Sequence, residues 1–163
     1  MAITTSGPQP LIAEQFLHLS AEAVRSDQSD EGTLRSAISR SYYAVYLTVR
    51  DRLFGNDGTR LSGTTYRKLR EKFRQNRRKD PRSHDLVIFA ISETSAPNML
   101  RLTLSQQLDQ LKDARVDADY RFEPANLRHV PETTWREYAS KNVALASMLL
   151  PQARRLPPYG GTP

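Results

Sequence analysis

The segment TLRSAISRSYYAVYLTVRDRLF, residues Thr33–Phe54, decides the fold class. It contains neither Gly nor Pro, and Thr33 belongs to the residue types that commonly cap a helix N-terminus. At about 100° per residue, its core-facing positions are Leu34, Ile38, Ser41/Tyr42, Val45, Val49 and Leu53. This spacing predicts one long amphipathic helix that ends near Phe54.

The opposite side of the same predicted helix carries a second stripe. Its residues are Arg40, Tyr43, Leu47, Arg50 and Phe54. A solvent-facing helix side rarely holds this much apolar surface. The stripe predicts a two-fold homodimer interface formed by Arg40, Tyr43, Leu47 and Phe54. The alternative is that another helix of the same bundle covers it.

The rest of the chain predicts more helices around this one. Apolar residues recur at helical spacing over 11–26, 64–77, 83–91, 97–118 and 131–153, and the seven Gly lie outside the periodic parts. The near-continuous apolar run 86–91 also fits a strand. We expect an all-α bundle of five to six helices in a single domain over residues 1–158, with a flexible tail at 159–163.

Composition excludes several classes of protein. The chain has 163 residues and no Cys, so disulfides, thiolate metal sites and cysteine nucleophiles are absent. No stretch approaches the roughly 20 apolar residues that span a bilayer, so we expect no membrane contact. The first ten residues lack the basic and apolar regions of a secretory signal, and a cytoplasmic protein is expected.

Positive charge is concentrated in one segment, residues 67–82. Nine basic residues stand there against two acids, while the rest of the chain is close to neutral. The basic residues are Arg67, Lys68, Arg70, Lys72, Arg74, Arg77, Arg78, Lys79 and Arg82. Such a cluster indicates binding to a polyanion, most often nucleic acid, because each contact with a phosphate releases condensed counterions. The alternative is a solvated helix face.

Most motifs of catalysis are missing. The sequence has no Gly-rich phosphate loop, no HExxH pair and no acidic cluster at metal-binding spacing. The three histidines, His18, His84 and His129, lie near different predicted elements. We therefore expect neither a metal site nor a cofactor.

Three segments together resemble one known family. Residues 39–46, SRSYYAVY, resemble the SRxYYAxF signature of HEPN-domain (higher eukaryote and prokaryote nucleotide-binding) proteins. Residues 83–88, SHDLVI, are similar to the H-x-x-V-I helix start of bacterial members. Residues 111–120, LKDARVDADY, resemble their L-x-x-x-R-x-x-A-D-Y ending. The resemblance spans residues 33–120.

The resemblance implies a compact helical bundle, usually dimeric, from prokaryotic toxin–antitoxin, phage-defence or CRISPR-linked systems. Active members of the family are metal-independent RNases that pair an Arg with a His, with four to six residues between the two. Here Arg40 is followed at those positions by Val45, Tyr46 and Leu47, so the usual His is absent. The candidate catalytic residues are Arg40, with His84 or Tyr46 in place of that His. Alternatively, Arg40 is structural and holds Asp119 across the bundle.

Our first interpretation is therefore an HEPN-like module that binds RNA or another nucleic acid through residues 67–82. It would belong to a toxin–antitoxin or defence system and could have an antitoxin or another operon-encoded protein as partner. The second is an active RNase toxin that uses His84, and the third is a dimeric adaptor for an acidic protein. Arg115, Asp119 and Tyr120 are interpreted as structural, with an Arg115–Asp119 ion pair closing one end of the bundle.

Overall fold

The computed structural model describes residues 10–55, 63–120 and 134–160, in which all regular structure is helical. The helices are α1 (Pro10–Arg25), α2 (Glu31–Phe54), α3 (Thr64–Arg77), α4 (Ser83–Ser92), α5 (Asn98–Tyr120) and α6 (Trp135–Ala153). The predicted all-α bundle is confirmed. The run 86–91, which also fitted a strand, lies within α4. None of the described helices combines the length and apolarity that crossing a bilayer requires.

Local capping interactions set the helix ends. Asp30, rather than the predicted Thr33, caps α2, because its Oδ1 accepts a hydrogen bond from the Thr33 backbone N–H at 2.7 Å. The helix ends at Gly55, whose φ of 86° favours glycine. Helix α3 ends at Arg78, whose left-handed φ of 53° is unusual for a residue with a side chain. The predicted bounds of α3 agree with the structure.

Helix α2 is the centre of the bundle. It packs against α1, α5 and α6 along its length and more briefly against α4. Its buried residues extend beyond the core-facing side that the sequence predicts: Val45 and Val49 are fully buried, and so is Ala44, which packs with Ala13 of α1 and Leu150 of α6. A helix buried on most sides needs few polar positions, which explains its second apolar stripe.

This packing corrects the predicted dimer face. Phe54 is 2% exposed and belongs to the main core, where the Tyr159 ring packs on it with centroids 5.6 Å apart. Tyr43 and Leu47 are partly buried and pack against the same core. For Phe54 and Leu47 the cover comes from the same chain, so a partner subunit is not needed to bury them.

Helix α3 is held to the bundle by few side chains. It packs mainly on α4, and only Leu69 and Phe73 of α3 are buried. The Phe73 ring meets Phe89 of α4 edge to face, with centroids 5.3 Å apart. The rest of α3 therefore presents a polar surface to solvent.

The C-terminal segment corrects the predicted tail boundary. Leu156 is fully buried, and its carbonyl accepts hydrogen bonds from Arg52 Nε and Nη2 at 3.1 and 2.8 Å. The Tyr159 backbone N–H donates to the Leu53 carbonyl at 3.0 Å. Residues 156–160 are therefore anchored to α2 without being helical. Residues 161–163 of the predicted tail lie outside the described residues.

Candidate nucleic-acid interface

The three segments that carry the family resemblance converge in space. They lie on α2 (39–46), at the start of α4 (83–88) and at the end of α5 (111–120). Ser39 Oγ donates a hydrogen bond to Asp119 Oδ1 at 2.9 Å, which links the first segment to the third. Lys112 Nζ lies 3.0 Å from Asp85 Oδ1, which links the third segment to the second. The segments therefore form one continuous cluster on one side of α2.

His84 lies among the tyrosines of α2. Its Nδ1 shares a hydrogen bond with the Tyr42 hydroxyl at 2.5 Å. Its ring stacks on Tyr46, with centroids 4.4 Å apart and planes 13° apart, and meets Tyr43 edge-on at 6.2 Å. The structure therefore brings together two of the predicted catalytic residues, His84 and Tyr46. It also adds Tyr42, which the sequence did not single out for this role.

The charges around His84 keep it neutral. Its partial burial lowers its pKa below the ordinary 6.5, and the nearby cations Arg115 and Lys112 lower it further, while Asp85 opposes them. Burial raises the pKa of Tyr46, so its phenol stays protonated near neutral pH and cannot act as a base. Of the predicted bases, only His84 is in its unprotonated form near neutral pH.

Arg115 and Asp119 form the predicted ion pair, with Nε and Oδ2 2.7 Å apart. The Arg115 guanidinium also lies over the Tyr43 ring, 5.6 Å from its centroid. The pair thus holds Arg115 of α5 against the group formed by His84, Tyr42, Tyr43 and Tyr46, which we call the histidine–tyrosine cluster. Tyr120, which was also predicted to be structural, is 70% exposed and does not close the bundle.

Arg40 is not part of this cluster. Asp119 is held by Ser39 and Arg115, so the predicted Arg40–Asp119 clamp is not formed, although both residues line one shallow depression beside Arg35. Within the described residues Arg40 makes no hydrogen bond or ion pair with His84. The described structure therefore forms no direct Arg40–His84 pair.

The basic segment lies on α3 and the turn that follows it. Asp80 pairs with Arg74 Nε at 2.5 Å and with Arg70 Nη2 at 3.5 Å, and the Arg74 hydrogen bond holds the pKa of Asp80 below its ordinary value. Lys72 pairs with Glu93. The other six basic residues are exposed and have no ion pair within the described part of the chain: Arg67, Lys68, Arg77, Arg78, Lys79 and Arg82. We call these six the free cations.

No group of three potential metal ligands comes together in the described residues. His18 is on α1, where its Nε2 lies 3.2 Å from Glu22 Oε1, and His84 is enclosed by tyrosines. His129 lies outside the described residues.

The chain matches no protein-family model, no curated protein and no solved structure.

The environment of His84 generates a prediction about pH. Because the pKa of His84 in the folded state lies below 6.5, the unfolded chain binds a proton at mildly acidic pH that the folded chain does not bind. The free energy of unfolding therefore rises with pH up to about 6.5 and then levels off. We expect the free energy of unfolding of the native protein to rise from about pH 5 to about pH 7. His84→Gln should make this rise smaller, as measured by urea denaturation at each pH.

The matched control is His18→Gln, because the His18 side chain is 68% exposed and lies on α1, away from the tyrosines. This variant should keep the pH dependence of the native protein. A His84→Gln variant whose pH dependence equals that of the native protein would show that His84 titrates normally in the folded state.

Proposed function

We propose that this chain is an HEPN-like nucleic-acid-binding protein that binds RNA or another nucleic acid through α3 and the following turn. It acts as a binding or accessory module of a bacterial toxin–antitoxin or phage-defence system. The observation that carries the proposal is the set of six free cations on one short, weakly buried surface. For a protein with this function we expect a cytoplasmic location.

A purely solvated helix face accounts less well for this surface. Charged surface helices are usually stabilised by acidic and basic residues spaced three or four positions apart. Helix α3 contains only one acidic residue, Glu71. Like charges at such spacing destabilise a helix by about 0.2–0.5 kcal/mol per pair. Arg74 and Arg77 recover part of this energy at the negative end of the helix dipole. The remaining repulsion is relieved when phosphates bind.

Arg78 supports the same conclusion. It holds a left-handed backbone conformation, where a non-glycine residue costs about 1–3 kcal/mol. Gly would remove this strain, but it would also remove an exposed cation from the end of α3. The presence of Arg at this position is understandable if its charge contacts a ligand.

Salt dependence tests the proposal. If about five of the free cations meet phosphates of a single strand, the logarithm of the association constant should fall against the logarithm of salt concentration with a slope of roughly −3.5. Replacing Arg67, Lys68 and Arg82 by Gln should weaken binding and flatten the slope by about 2, at about 0.7 per lost contact. Fluorescence anisotropy of a labelled RNA over a salt series measures both effects.

The matched control replaces Arg25, Lys141 and Arg155 by Gln, which removes the same charge from exposed positions on the rest of the bundle. Its salt slope should stay close to that of the native protein. Equal losses in the two triple variants would indicate only a general charge effect. Unchanged RNA binding in the α3 variant would favour the adaptor, in which the basic surface binds an acidic protein.

The second candidate function is a metal-independent RNase that uses His84. A neutral histidine beside Arg115 favours it, because general base catalysis needs an unprotonated imidazole and phosphodiester cleavage needs a nearby cation. Against it, the Tyr42 hydroxyl occupies Nδ1. When that hydroxyl donates, the imidazole proton lies on Nε2, and neither nitrogen is free to accept a proton; only the opposite tautomer, in which Nδ1–H donates to the hydroxyl, leaves Nε2 as a base. We therefore favour binding without cleavage.

Incubation of the protein with mixed RNA in EDTA separates the two functions. General acid–base catalysis contributes about 10² to 10⁴-fold to a rate, so a chain without a working base should show no cleavage above background. His84→Ala and Arg40→Ala should be equally inactive. EDTA-resistant cleavage by the native protein that is lost in His84→Ala would contradict our proposal and identify an RNase.

The homodimer and the operon-encoded protein partner remain part of the proposal. With Phe54 in the core, an interface on this side of α2 would use Arg40 and the exposed parts of Tyr43 and Leu47. Arg40 is partly exposed, as Tyr43 and Leu47 are, and it makes no ion pair within the described residues, so its charge is available to a partner.

A further inference from the structure

A cleft lies between the end of α3 and helices α4 and α5, next to the free cations. Its volume is about 290 Å³. Phe73, Ile88 and Phe89 form an apolar part of its wall, and Arg77 and Lys79 line it from the basic surface. We call it the α3–α5 cleft. Binding of a phosphate backbone to α3 does not by itself explain an apolar recess at this position.

The size of the cleft limits what it can hold. Pockets for small molecules usually have volumes of about 300–1,000 Å³, and this cleft lies at the lower limit. It therefore suits one nucleotide, not a longer stretch of nucleic acid. Proteins that recognise RNA sequence commonly place a single unstacked base against apolar or aromatic side chains and bind its edge by hydrogen bonds.

The charges in the cleft are unevenly distributed. Arg77 and Lys79 are exposed free cations, available to a phosphate. Lys112 is already neutralised, because its Nζ lies 2.5 Å from Asp109 Oδ1 and 3.0 Å from Asp85 Oδ1. A ligand with its negative charge toward α3 and its hydrogen-bond donors toward α5 fits this arrangement.

Asp109 offers the acceptors for such donors. Its side chain is 53% exposed, and within the described ranges only its Oδ1 is engaged, by Lys112. An ionised carboxylate can accept about four hydrogen bonds, so most of its capacity is unused. Gln106, which is three residues earlier on α5 and also lines the cleft, adds an amide that can donate and accept.

We propose that the α3–α5 cleft binds one guanine nucleotide of a single-stranded RNA; this inference rests on the proposed function. Guanine presents two adjacent N–H donors, N1–H and the N2 amino group, which match the two oxygens of the Asp109 carboxylate. Uracil presents one N–H between two carbonyls, which the carboxylate repels. The apolar wall contacts the base, and Arg77 and Lys79 contact the flanking phosphates.

Three labelled RNAs of about 12 nucleotides test this inference: oligouridine, and the same strand with one central guanosine or one central adenosine. A bidentate contact to a base discriminates by about tenfold or more, so the guanosine strand should bind about tenfold more tightly than oligouridine. The adenosine strand should bind like oligouridine. Anisotropy titrations at one salt concentration measure all three.

Asp109→Asn should abolish the guanosine preference and leave oligouridine binding unchanged or slightly tighter, because it removes a negative charge. Lys112 keeps its contact with Asp85 in this variant, so the cleft retains its support. The control Glu71→Gln neutralises an exposed acid of α3 that does not line the cleft. It should keep the guanosine preference.

The outcomes separate the two proposals. Equal, salt-dependent binding of all three RNAs would overturn the guanine site and leave the basic interface intact. If adenosine and guanosine raised the affinity over oligouridine equally, the guanine site would be overturned as well, because stacking alone would explain the increase. A preference that survives Asp109→Asn would place the base elsewhere. Failure of all three RNAs to bind would overturn both proposals.

Discussion

Burial of α2 is the constraint on which the rest of the structure depends. Helices α1, α5 and α6 pack against it along its length, and α4 and the anchored segment 156–160 cover its C-terminal half. These contacts use most of the apolar side chains of the bundle. The apolar attachment of helix α3 within the described residues rests mainly on Leu69 and Phe73, with Tyr66 partly buried beside them. The most basic helix of the chain is consequently also the most exposed.

The burial of α2 also brings together the three segments that carry the family resemblance, residues 39–46, 83–88 and 111–120. Tyr42 and Tyr46 project from α2 toward the start of α4, where His84 packs between them and the end of α5. Burial there favours neutral side chains, which raises the pKa of Tyr42 and lowers that of His84. The cluster thus resembles a packed polar core more than a reactive site, which agrees with the binding function that we propose for the neighbouring basic surface.

The helical class could be predicted from the sequence because apolar residues recur at helical spacing. The bounds of α3 could be predicted because its basic and apolar positions lie between Gly63 and Pro81, two residues that interrupt helices. The dimer face was wrong for Phe54 because sequence periodicity cannot distinguish a helix covered by its own chain from one covered by a partner. The predicted boundary of the tail was wrong at Tyr159 because the Pro and Gly residues around it indicate flexibility, whereas its contacts with Leu53 and Phe54 of α2 depend on the packed bundle. The His84 and Lys112 contacts join residues far apart in sequence, so no local pattern reveals them.

Photo-crosslinking of a single-stranded RNA to the native protein, followed by mass spectrometry of the crosslinked peptides, tests the central claim most directly. It locates the nucleic acid without changing any residue. Our account predicts that crosslinks concentrate in residues 64–82 and in the parts of α4 and α5 that line the α3–α5 cleft. Crosslinks concentrated on α1 or α6, with residues 64–82 unmodified, would contradict it.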